Sequence, residues 1–131
     1  MKLSEALEKY NDAEFKYGSM DCCLFVCDVI KDATGKDLAA KWRGTYKTEL
    51  GAFRLIHDAG GFVPLMSQAF GKVHPFWSVK KGDPVLLNAQ MVDQDCIGAG
   101  LGIYDGNDIV CLTEKGLIKM PITVSAGCFN V

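Results

Sequence analysis

Among the 131 residues of this chain, six cysteines and two histidines are the groups best suited to nucleophilic or proton-transfer chemistry. Cys22 stands where its neighbours could activate it. The run Tyr17-Gly18-Ser19-Met20-Asp21-Cys22-Cys23-Leu24-Phe25-Val26-Cys27-Asp28-Val29-Ile30, ending at Gly35, reads as a buried helix with a thiol on its first turn. Gly18 and Ser19 supply a turn, Ser19 or Asp21 can cap the helix start, and Gly35 is a fitting left-handed terminator. Cys22 to Val26 shows no polar face, which predicts a helix enclosed by protein, with Asp28, Lys31 and Asp32 reaching water only in later turns. A thiol at that start sits at the positive end of the helix dipole, which favours thiolate and lowers the pKa. Such a group is a nucleophile if a base and a cavity meet it. Otherwise Cys22 is a small residue packed at a crowded helix start.

The two histidines are the available substitute bases. His57 falls near the apolar stripe of a predicted helix, where it is a displaced base or simply a core-edge or exposed histidine. His74, between Val73 and Pro75, falls on a predicted loop, where surface placement is the default reading. Asp21 either caps the helix or pairs with a basic residue. Arg43-Gly44 with Tyr46 is either a binding element, since a guanidinium can fork onto a carboxylate, or a structural tie. Trp42, Phe76 and Trp77 mark a contact surface or lids on the core. The cysteine spacings contain no Cys-x-x-Cys, and with only two histidines no zinc site, other metal or cofactor is expected.

Around these groups the chain reads as one globular domain with one core, from 49% hydrophobic and 23% charged residues. A net charge of −2 and a pI near 5.6 give no electrostatic reason to expect nucleic acid or an anionic membrane as partner. Leu3, Leu7 and Tyr10 recur at helical spacing in an acidic segment, so no signal peptide is expected, nor any transmembrane span, and the thiols should stay reduced. A short helix is expected over Asp37 to Trp42, a turn at Arg43 to Tyr46, a helix capped by Thr48 and running to Ala59, and another from Phe62 to Phe70 with Pro64 in its first turn. Beyond that, Val85 to Leu87, Ile97 to Tyr104, Ile109 to Leu112, Leu117 to Met120 and Cys128 to Val131 are short apolar or alternating runs between Gly, Asn and Asp turns. Helices first and an antiparallel sheet second give an α+β domain, with the buried helix packed on the sheet.

Three blocks, taken in order, resemble the NlpC-type, papain-like family of cell-wall peptidases and amidases. Asp21-Cys22-Cys23-Leu24-Phe25-Val26 is similar to that family's Asp-Cys-Ser-Gly-Phe-Val block, whose cysteine is the nucleophile. Lys81-Gly82-Asp83-Pro84-Val85-Leu86 is similar to its Pro-Gly-Asp-Leu-Val-Phe strand, and Gly100-Leu101-Gly102-Ile103-Tyr104-Asp105-Gly106 to its His-Val-Gly-Ile-Tyr-x-Gly hairpin. The resemblance implies a papain-like fold with Cys22 at the nucleophile position. It also implies a departure, because the family's catalytic histidine falls on Gly100, and its orienting polar residue falls near Cys111 or Thr113. Attack on an amide needs a proton donor for the leaving nitrogen, which glycine cannot supply, and losing such a group typically forfeits ~10²- to 10⁴-fold in rate.

Thr34-Gly35-Lys36-Asp37-Leu38-Ala39-Ala40, Arg43-Gly44-x-Tyr46-x-Thr48-x-x-Gly51-Ala52 and Gly60-Gly61 resemble a narrower family of small proteins encoded in the tail modules of tailed bacteriophages and prophages. That resemblance implies a tail-tip or tail-assembly protein on a catalytically degenerate scaffold. Its partners would be other tail proteins, and it would be found in the virion tail or in the host cytoplasm during assembly. Under the alternative, a cysteine peptidase or amidase with Cys22 as nucleophile, the partner would be a cell-wall peptide.

Overall fold

A sheet whose last strand lies inside it, rather than at its edge, carries four helices in this computed structural model, which describes residues 1–88 and 100–131. The helices are α1 (Leu3–Glu8), α2 (Cys22–Thr34), α3 (Glu49–Asp58) and α4 (Phe62–Phe70). The strands are β1 (Val73–His74), β2 (Pro84–Leu87), β3 (Leu101–Tyr104), β4 (Ile109–Thr113), β5 (Gly116–Met120) and β6 (Ser125–Phe129). All pairings are antiparallel, in the order β1-β6-β2-β3-β4-β5. The expected α+β arrangement, N-terminal helices on a C-terminal antiparallel sheet, is what the chain adopts. No helix among the described residues is long and apolar enough to cross a membrane.

The apolar run in α2 dictates its position. Leu24, Phe25, Val26, Cys27, Val29 and Ile30 are buried, and the helix packs against α1, β3 and β4. Each such side chain contributes about 1.5–3 kcal/mol on removal from water. Gly35 ends the helix in the left-handed conformation, its amide donating to the Lys31 carbonyl at 2.7 Å. Tyr10 holds α1 to α2 through an edge-on contact with Phe25 and a 2.6 Å hydrogen bond to Asp32.

Strand alternation sends Leu86, Val110 and Leu112 toward the helices and Val85, Leu87, Ile109 and Cys111 to the far face, where Met120, Cys128, Val79, Ile122 and Val124 join them. Gly102, in the centre of the Gly-Ile-Tyr block, is required by this packing. A Cβ there would lie 2.4 Å from Ile109 Cγ2 and 2.7 Å from Cys111 Sγ.

Two expectations are corrected. Residues Asp37 to Trp42 form consecutive turns rather than a helix, because the Asp37 carboxylate accepts from the Ala39 amide and grips Arg43, competing with helical bonding. Val73 and His74 form a short edge strand instead of a loop, with His74 opposite Cys128. Ile97, expected to open the β3 strand, and Cys96 lie outside the described residues.

Candidate functional site

Asp21, not Ser19, caps α2. Its Oδ1 accepts from the Leu24 amide at 2.9 Å, while Oδ2 accepts from the Gly18 amide at 3.2 Å and from the Tyr46 hydroxyl. The carboxylate is 4% exposed, so these three donors replace its water shell. The loop that delivers Gly18 is closed by reciprocal backbone bonds between Lys16 and Met20, both 2.9 Å. Gly18 has φ +82°, and a Cβ on it would fall 2.0 Å from the Tyr46 carbonyl oxygen, so only glycine lets the two segments meet. Burial first, then the Asp21 charge, pushes the Tyr46 phenol far above its ordinary pKa.

The clamp fixes the first helical residue, Cys22, which is 7% exposed. The Cys23 sulfur lies 3.8 Å from Cys22 Sγ. The contact with the Cys23 thiol lowers the Cys22 pKa, burial opposes the shift, and the backbone at Gly100 and Leu101 reinforces it. The same contact, followed by burial, holds Cys23 well above the ordinary thiol range. Burial pushes Cys27, one turn further on, up to about 12, leaving it inert.

Cys22 opens onto a cavity of about 270 Å³, walled mainly by Phe15, Trp42, Phe53, Ile56, Phe62 and Leu65. Gly100 also borders it, but the space a side chain would need there is taken. A Cβ on Gly100 would lie 2.9 and 3.0 Å from two ring carbons of Phe62. The ring at the start of α4 thus fills the space a side chain at Gly100 would need.

Neither histidine reaches this cavity, and among its described lining residues there is no imidazole. His57, at the end of α3, is 90% exposed and 3.5 Å from its neighbour Asp58. His74 is in β1, beside β6 at the far edge of the sheet. Arg43 also lies outside the cavity lining and ties the loop after α2 to that helix, its guanidinium forking onto Asp37 at 3.0–3.2 Å and reaching Asp28. Of the predicted binding set, only Asp21 and Tyr46 join Cys22 at the cavity.

The two positions expected to orient a base do other work. Cys111 packs on the sheet face turned away from α2. Thr113 is fully buried, donates to the Gly116 carbonyl at 2.9 Å and closes the β4–β5 hairpin. Asp83, of the Gly-Asp block, is 2% exposed and accepts from the amides of Lys80 and Val131, a turn-and-terminus clamp rather than a site group. Trp42 is buried, whereas Phe76 and Trp77 pack edge to face on the surface. The sequence did not flag Phe62, Cys23 or Met66, although Cys23 and Met66 line the cavity with sulfurs 3.7 Å apart.

Fold and site together define an α+β protein with a capped, buried thiol at the wall of an apolar cavity. Residues 1–131 match the family described as Domain of unknown function (DUF6950), and the chain belongs to that family. No curated protein matches it.

Proposed function

We propose that this protein is a structural or assembly component of a bacteriophage or prophage tail, built on an NlpC-like, papain-like scaffold that no longer hydrolyses amides. One observation carries the non-hydrolytic half of the reading. Gly100, which lines the same cavity as Cys22, has no side chain, and the Phe62 ring fills the space one would need. A thiolate without a proton donor can attack an amide but cannot expel the nitrogen, so the tetrahedral adduct returns to starting material. The tail context is supported by the sequence blocks around Gly35, Arg43 and Gly60, and the role follows as contact with other tail proteins.

A second reading, a cysteine peptidase or amidase acting on cell-wall peptides, is favoured by the lowered pKa of Cys22 at a helix start. One experiment separates the two. The protein is co-expressed with phage tail-tip proteins and affinity-purified, and the same preparation is incubated with muropeptides. The assembly role expects a stoichiometric complex with a tail protein and no new amine ends in the digest. Turnover that disappears in Cys22→Ala would overturn it.

A further inference from the structure

Four sulfur-bearing residues line the cavity, Cys22, Cys23 and Cys27 from α2 and Met66 from α4, and close contacts link three of them. Cys22 Sγ and Cys23 Sγ are 3.8 Å apart at the start of α2, and Cys23 Sγ is 3.7 Å from Met66 Sδ in the middle of α4. All three residues line the same opening. A three- or four-coordinate sulfur site with bonds of ~2.3 Å sets its ligand atoms ~3.8–4.0 Å apart, so the two contacts made by Cys23, two of the three edges of such a shell, match it.

Ligand type narrows the ion. The set is two thiols and a thioether, and no imidazole is available to it among the described cavity residues. The nearby carboxylate, Asp21, has both oxygens engaged by Leu24, Gly18 and Tyr46. Zinc is ordinarily held by thiolate, imidazole and carboxylate, whereas thioethers with thiolates select Cu(I).

We propose that Cys22, Cys23 and Met66 form a binding site for a soft monovalent cation, Cu(I), at the wall of the apolar cavity. Binding exchanges two thiol protons, released to solvent, for two Cu–S bonds, and the thioether completes the shell without a proton. The bound group carries one net negative charge, faced by the start of α2. The site is independent of the tail role, since it needs neither hydrolysis nor a protein partner.

Anaerobic protein is titrated with Cu(I) supplied as its bathocuproine disulfonate complex, and the loaded form is measured by X-ray absorption. The expected result is removal of one Cu(I) per chain from the chelator and a first shell of three sulfurs. Cys22→Ser and Cys23→Ser each abolish this competition. Met66→Leu, close in volume, weakens it at least about tenfold, the scale on which even outer-shell losses register. Cys128→Ser, on the sheet face turned away from α2, leaves it unchanged, with circular dichroism confirming that each variant is folded. Unaltered affinity in Met66→Leu, or binding that survives in the Cys22→Ser, Cys23→Ser double variant, overturns the site. If the serine variants fail to fold, the absorption spectrum of the unaltered protein still decides, because a first shell other than three sulfurs refutes the assignment.

Discussion

Tyr46→Phe removes one oxygen and nothing else from the clamp that fixes Cys22. The hydroxyl is one of three donors to the Asp21 carboxylate, the others being the amides of Leu24 at 2.9 Å and Gly18 at 3.2 Å. A hydrogen bond to a charged group contributes about 1.5–3 kcal/mol, and at 4% exposure water has little access to replace the lost donor. The expected loss is therefore about 2 kcal/mol. With a urea m-value of about 2 kcal/mol/M, inside the range for small proteins, the unfolding midpoint falls by about 1 M. A double-mutant cycle with Asp21→Asn should return a coupling of at least about 1 kcal/mol, since the two groups touch.

The same pair sets a pH signature. The folded-state pKa of Tyr46 is raised above the unfolded value of about 10. Its contribution is fully present below that unfolded value and is lost as pH rises toward the folded one, because only the unfolded chain can then release the proton. The unaltered protein should lose stability above pH ~10 more steeply than Tyr46→Phe. A loss under about 0.5 kcal/mol in the variant, the ordinary scale of surface changes, would refute the clamp.

Gly18→Ala should cost about 3 kcal/mol or more in urea unfolding, since it adds a positive-φ strain to a Cβ 2.0 Å from the Tyr46 carbonyl. Gly100→Ala should cost about 1 kcal/mol with Phe62 present, and nothing in a Phe62→Leu background, because the clash is with that ring. Iodoacetamide followed by peptide mass mapping should label Cys22 in the native protein at a pH below that needed for an ordinary thiol and leave Cys27, held at about 12, untouched. In acid, Asp37, its pKa lowered chiefly by Arg43, contributes stability above its unfolded value near 4 and loses it as pH falls through the depressed folded value. Arg43→Lys, which cannot fork, should flatten that acid limb in a denaturation series.

The elements that carry their own punctuation were legible. Thr48 caps α3 and Gly35 stops α2 where their chemistry placed them, and the α4 bounds follow from Gly60-Gly61 and Pro64. The apolar run after Cys22 announced burial, and the alternation in β4 announced a strand packed on both faces. What the sequence could not convey was competition between side chains and backbone, which turned the Asp37 segment into turns, or a two-residue strand at β1, too short to show a period. At the site, the Asp21–Cys22 start was readable, because capping is local. The filling of the Gly100 space by Phe62 was not, since the two are 38 positions apart and nothing in either residue type names the other. The Cys23–Met66 approach was hidden for the same reason, being set by how α4 leans on α2.

Placing β6 between β1 and β2 makes assembly of the sheet wait on residues 125–129. The β2 to β5 meander can zip up from neighbouring segments, but until β6 inserts, β2 shows an unpaired edge and β1 has no strand to join. Such an edge is a template for another chain. A ribosome-bound chain cut short before residue 125 should therefore bind holdase chaperones, and the full-length one should be released from them.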